Sequence, residues 1–179
     1  VTVRVTDNGS PAASATETIS IVVIEVNAAP TLAAIGNKSV LEGQLLTFTA
    51  TATDGDQPAQ RLTFTLDAGA PSGASITTNG VFTWSPTEAQ GPSTNPVTVR
   101  VTDNGSPAAS DTETISIIVS EVNTPPALAT IGNKSVNESQ LLTFTATATD
   151  SDLPAQRLTF TLDAGAPSGA SITTNGVFT

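Results

Sequence analysis

Cysteine, histidine, methionine and tyrosine are absent from this 179-residue chain. Without cysteine no disulfide braces the fold. Without cysteine or histidine there is no soft-metal site and no thiol or imidazole chemistry. Aromatic residues make up only 4% of the chain, and one of them is tryptophan, which argues against an aromatic-lined pocket. Basic residues are scarce: 6 Lys+Arg against 16 Asp+Glu give a net charge of −10. That balance argues against nucleic acid and anionic membranes as partners. It suits hard cations such as Ca2+, or solubility in a salty exterior. There is no sustained helical period and no membrane-spanning apolar run, so no membrane insertion is expected of this segment.

What the chain has is repetition. Val1–Val26 recurs as Val97–Val122 with three changes: Ala15/Asp111, Val22/Ile118 and Ile24/Ser120. Asn27–Thr83 recurs as Asn123–Thr179 with eight changes, and Arg61–Thr83 is identical to Arg157–Thr179. A repeat of 96 residues holds a whole small domain, not one solenoid turn. The expected division is 1–26, the last strands of a preceding repeat; 27–122, a complete repeat; and 123–179, the first part of a following repeat.

Within a repeat, apolar residues alternate with threonine. Leu46, Phe48, Ala50 and Ala52 share one face of a period-two pattern; so do Leu62, Phe64 and Leu66, then Val97, Val99 and Val101, then Ile115, Ile117 and Val119. This is the pattern of half-buried strands. Shorter strands are expected around Val40, Ile76 and Phe82. Turn signals separate the runs, among them Asp103-Asn104-Gly105-Ser106-Pro107, read as a tight Asn-Gly hairpin, and Asn79-Gly80. The expectation is an all-β fold: tandem seven-strand immunoglobulin-like β-sandwiches, with Leu46, Phe48, Leu62, Phe64, Leu66, Val99, Val101, Ile115 and Ile117 inside. Proline soon after Glu25-Val26-Asn27 and Glu121-Val122-Asn123 makes the linkers short and stiff.

Four acidic motifs recur in a fixed order: Ser39-Val40-Leu41-Glu42, Ala52-Thr53-Asp54-Gly55-Asp56, Val101-Thr102-Asp103-Asn104-Gly105-Ser106-Pro107 and Glu121-Val122-Asn123. In these motifs the chain resembles the bacterial cadherin-like and immunoglobulin-like tandem repeats of large surface proteins. The resemblance implies Ca2+ between consecutive domains, with ligands Glu42, Glu88, Glu121, Asn123, Asp150 and Asp152 at the Asn123 junction. At the Asn27 junction it implies Glu25, Asn27, Asp54, Asp56 and Asp103. The family's linker Asp is replaced by Ala28 and Thr124, and its mid-domain Asp-Arg-Glu is reduced to Pro86-Thr87-Glu88. The implied load is therefore one Ca2+ per junction rather than three. The alternative for Asp54 and Asp56 is turn capping.

Trp84 is the one residue that could stack on a sugar, but it follows the apolar Val81-Phe82 run, which points to core packing. Lys38 is read as lying in an exposed turn. No enzyme is expected, because the same carboxylates recur at turn tips in every repeat. The expected role is an extracellular structural array on a bacterial cell surface: a stalk, adhesin shaft or filament. Its partners are neighbouring repeats or copies joined head-to-tail, which would complete the terminal segments. The competing role is an adhesion module whose exposed loops bind a surface glycan or protein.

Overall fold

A computed structural model describes residues 1–179. β1 (Thr2–Thr6) and β2 (Ser14–Thr18) form an antiparallel hairpin exposed along its length. The central body follows: β3 (Thr31–Leu32), β4 (Lys38–Leu41), β5 (Leu46–Thr49), β6 (Ala52–Thr53), β7 (Thr63–Leu66), β8 (Ser75–Ile76), β9 (Val81–Trp84), β10 (Ser93–Thr102) and β11 (Ser110–Ser120). The last segment holds four two-residue strands, β12 (Ala127–Leu128), β13 (Phe144–Thr145), β14 (Ala148–Thr149) and β15 (Val177–Phe178). The sole helical element is a 3-10 turn at Glu88–Gln90; no helix is long and apolar enough to cross a membrane.

The body is a two-layer sandwich. One layer is a four-stranded sheet in the order β4-β11-β10-β7, with β4 parallel to β11 and the other pairs antiparallel. The other contains the sheet β5-β9-β8 and the short pair β3-β6. The inward face expected from the period-two pattern is the one observed. Val97, Val99, Val101 and Ile117 are fully buried, and Phe82 and Trp84 from the opposite layer close over Val97, Ile115, Ile117 and Val119. Phe48 stacks on Phe82 with ring centroids 4.6 Å apart. Phe64 is 7% exposed and joins Ala50, Val99 and Val101 in a second cluster. Leu46, Leu62 and Leu66 sit half-buried at the margins.

Three local expectations are corrected. The run from Leu46 to Thr53 is not one continuous strand. It breaks after Thr49, because β5 pairs with β9 while β6 turns to β3. Likewise β3 lies in one layer and β4 crosses to β11 in the other. Nine segments result, compatible with a seven-strand sandwich in which two strands are interrupted. The switch between β3 and β4 frees backbone donors, which must find acceptors. Glu113 takes Ile35 N (2.7 Å) and Gly36 N (3.0 Å), and Asp111 takes Leu32 N (2.9 Å).

The β10–β11 connection is not a tight Asn-Gly turn, and Gly105 is not left-handed. Instead Asp103 Oδ1 accepts Gly105 N and Ala109 N, both at 2.9 Å, and shapes a longer loop. Lys38 opens β4 rather than sitting in an exposed turn. Its Nζ donates to Ile35 O and Gly36 O and lies 5.5 Å from the Phe48 ring centroid.

Phe64→Ala should remove about 3–5 kcal/mol of stability from the body, the range for truncating a buried aromatic. Urea unfolding of the chain measures it; a loss under about 1 kcal/mol, the range of ordinary surface changes, would contradict this account of the core.

Candidate metal centre

β11 ends at Ser120, and the chain leaves the sandwich through Glu121-Val122-Asn123. Two loops flank that exit, the turn after β4 with Glu42 and the 3-10 turn beginning at Glu88. Glu42 is held by its own backbone, whose N donates to Ser120 O (3.0 Å), and by Val122 N, which donates to its Oε1 (2.9 Å). Glu42, Glu88 and Glu121 each place a carboxylate oxygen within 4.8 Å of the others. Glu42 is 5% exposed. Its Oε2 and both Glu121 oxygens are shielded from solvent and receive no hydrogen bond. Gly91 makes this possible: a Cβ there would stand 2.2 Å from Glu42 Oε2.

Burial, then the neighbouring charges of Glu42, Glu88 and Asp152, push the Glu121 carboxyl above its ordinary range. Glu88 also reaches past the exit, where its Oε1 accepts Leu153 N (2.7 Å). Asp152, 2% exposed, accepts Thr124 N (2.9 Å) at Oδ2 and the Thr124 hydroxyl at Oδ1. Asp150 Oδ1 takes Asp152 N (3.0 Å), an Asx-type turn. The Gln156 amide donates to Asn123 Oδ1 (2.7 Å) and Asp152 Oδ2 (3.1 Å).

The Asn27 junction repeats the second half of this arrangement. Asp56 Oδ2 accepts Ala28 N (2.9 Å) and the Gln60 amide (2.9 Å), which also donates to Asn27 Oδ1. Asp54 Oδ1 takes Asp56 N (3.0 Å). Asn27 Nδ2 donates to Asp103 Oδ2 (3.1 Å) and Pro107 O (3.0 Å). Desolvation alone would raise the Asp103 carboxyl. Donors at Ala109, Gly105 and Asn27 outweigh it and hold the group below its ordinary range. Desolvation, then Asp56, Asp54 and Asp103, push Glu25 up.

The site residues named from the sequence lie near one of two chain segments, 25–27 or 121–123. At the Asn123 exit Glu42 Oε2 and both Glu121 oxygens are left without donors, whereas Asn123, Asp152, Asn27, Asp56 and Asp103 already accept hydrogen bonds. Sequence reasoning missed Gln60 and Gln156. The signal was there, since each stands four residues after the second aspartate of its pair. It also missed Gly105, where a Cβ would lie 1.7 Å from Asn27 Oδ1. Only the fold brings those two together.

Residues 29–120 match the family model described as "Putative Ig domain". The chain belongs to that family. None of the curated proteins compared with it matches. Among solved structures, mouse cadherin-23 EC22-24 superposes with a TM-score of 0.56 at 19% identity, covering 99% of this chain and 62% of that one. Drosophila N-cadherin EC1-4 gives 0.56 at 18%, covering 85% and 40%. The protocadherin GammaB4 extracellular domain gives 0.53 at 20%, covering 99% and 33%. The chain spans less than two thirds of each, and at such identity the likeness is one of fold. This Ig-domain chain offers carboxylate, amide and hydroxyl oxygens near Asn27 and Asn123, hard ligands that suit a hard cation.

The sign of the pH response follows from these shifts. Glu121 and Glu25 keep their protons to higher pH in the folded than in the unfolded chain, so their ionisation lowers stability as pH rises through the raised values. Asp67, Asp103 and Asp111 are depressed; their contribution is present above the ordinary carboxylate range and lost as pH falls through the lowered values. In chelator the thermal midpoint should therefore fall as pH rises above the ordinary carboxylate range. Replacing both Glu25 and Glu121 by Gln should flatten that fall. An unchanged slope would show that crowding of these carboxylates is not its cause.

Proposed function

We propose that this chain is part of an extracellular structural array on a bacterial surface, with Ca2+ stiffening the exit of each sandwich. Residues 27–122 are one complete repeat, and 1–26 and 123–179 belong to its neighbours in a stalk, adhesin shaft or filament. Head-to-tail neighbours, within a longer chain or between copies, cover the apolar residues that the flanking segments expose, such as Val3, Val5, Ile21 and Leu128.

The observation that carries the reading is the convergence of Glu42, Glu88 and Glu121, with buried oxygens that no donor satisfies. Buried charge without a partner is costly, and three hard oxygens together fit Ca2+. When bound, the ion supplies positive charge that cancels the repulsion among them. The chain's residues do the rest. Glu42 ties the exit strand to the β4 turn through Val122 N, and Glu88 ties the 3-10 turn to Leu153 N. Both contacts restrict the direction in which the following segment leaves. The sugar-stacking alternative loses its best residue: Trp84 is 1% exposed, and its indole N–H donates to Ser72 O at 3.2 Å.

Calorimetric titration of the chain with CaCl2 tests this, alongside X-ray scattering with and without chelator. Heat should be released, the scattering should become that of a stiffer rod, and Glu42→Gln should weaken binding at least tenfold, about 1.4 kcal/mol. No heat together with unchanged scattering would retire the calcium half of the proposal.

A further inference from the structure

The acidic residues on the two sides of the Asn123 linker are neutralised in different ways, and the side that follows the linker is repeated at Asn27. At the Glu42–Glu88–Glu121 cluster, buried carboxylate oxygens face one another with no donor. On the other side of each linker, a glutamine amide stands between the linker asparagine and the second aspartate of the pair. Gln60 bridges Asn27 Oδ1 and Asp56 Oδ2; Gln156 bridges Asn123 Oδ1 and Asp152 Oδ2. The aspartate is then completed by the linker backbone, through Ala28 N or Thr124 N at 2.9 Å.

We infer that the Gln60 and Gln156 side chains take the place of a cation in the linker pocket, so that each linker is fixed to the segment after it without metal. This deepens the calcium reading above and rests on it for the other half of the junction. The physical reason is competition for lone pairs. A divalent cation needs six to eight oxygens. Here the Asn Oδ1 and the Asp Oδ2 point at N–H donors, so a bound ion would have to expel the amide and face its hydrogens; the buried oxygens left free at the Asn27 linker, Asp54 Oδ2 and Gln60 Oε1, number only two. At Asn27 the pocket is further closed by Asn27 Nδ2, which donates to Asp103 Oδ2 (3.1 Å). That contact exists because Gly105 has no side chain to occupy the same space.

The consequence is a junction in two halves. Glu42, Glu88 and Glu121 form the cation-dependent half, which controls the exit of the sandwich. The Asn–Gln–Asp bridge forms the cation-independent half, which grips the linker. Removing Ca2+ then loosens the chain at Glu121, not at Asn123 or beyond.

The test is calcium stoichiometry, by calorimetric titration of the full chain with CaCl2. The native chain should take up one ion, at the cluster. Gln60→Glu exchanges the donor for a carboxylate in the same position and should take up one more. Gln156→Glu, at an exposed position, should gain an ion in the same way and serves if the first substitution disturbs the body. Glu42→Gln should abolish the native ion and leave the gained one. A native chain binding two or more ions, or glutamate variants binding no more than the native chain, would overturn the inference. A native chain that binds none, while Gln60→Glu binds one, supports it and sinks the carboxylate cluster instead.

Discussion

The pairing of β10 with β11 is the interaction on which the rest of the molecule depends. Ten residues of each strand stay in antiparallel register, from Ser93 opposite Val119 to Thr102 opposite Ser110. At a rise of about 3.3 Å per residue the ladder runs some ~30 Å, the length of the sandwich. Its inner face supplies Val97, Val99, Val101, Ile115, Ile117 and Val119, over half of the buried apolar side chains. Its two ends supply the junctions. One delivers Asp103 to Asn27; the other delivers Glu121 to Glu42 and Glu88. The distance between Asp103 and Glu121 is thus set by a continuous hydrogen-bonded ribbon.

Negative charge is the second constraint, and the fold meets it locally. With few basic residues available, one ion pair forms: Arg100 grips Asp67 through two N–H···O bonds of 2.8 and 2.7 Å. Elsewhere backbone and amide donors do the work. Asp111 and Glu113 satisfy the N–H groups freed where β3 gives way to β4, and Asp103 organises the loop above Asn27. Carboxylates used in this way are structural, and they account for much of the acidity that composition alone presents as a single property. At the exit of β11, by contrast, Glu42 Oε2 and both Glu121 oxygens are buried without a donor.

Period-two alternation is local information. It placed Val97, Val99, Val101, Ile115 and Ile117 on the buried face before any partner was known, because a strand's side chains alternate whatever it pairs with. The 96-residue repeat was equally legible, as were the positions of the acidic motifs. Strand continuity was not. Leu46–Thr53 looks unbroken in the sequence, yet it changes partner part-way, because β5 pairs with β9 and β6 with β3. The Asp103–Pro107 segment misled for the same reason: a side-chain carboxylate, not Asn-Gly backbone preference, holds it.

What the sequence alone determined is therefore the fold class, the inward residues, and the fact that carboxylates cluster near the linkers. What only the tertiary structure decided is which carboxylates meet. Glu42, Glu88 and Glu121 are separated by tens of residues and converge because β4 lies parallel to β11 while the 3-10 turn precedes β10. Likewise Gln60 is an unremarkable polar residue until β7 and the linker bring it to Asn27. Hydrogen-bond satisfaction depends on distances across the fold, and residue type fixes only what a group could donate or accept. The division between carboxylates that are satisfied and carboxylates left facing one another is therefore a property of the folded chain.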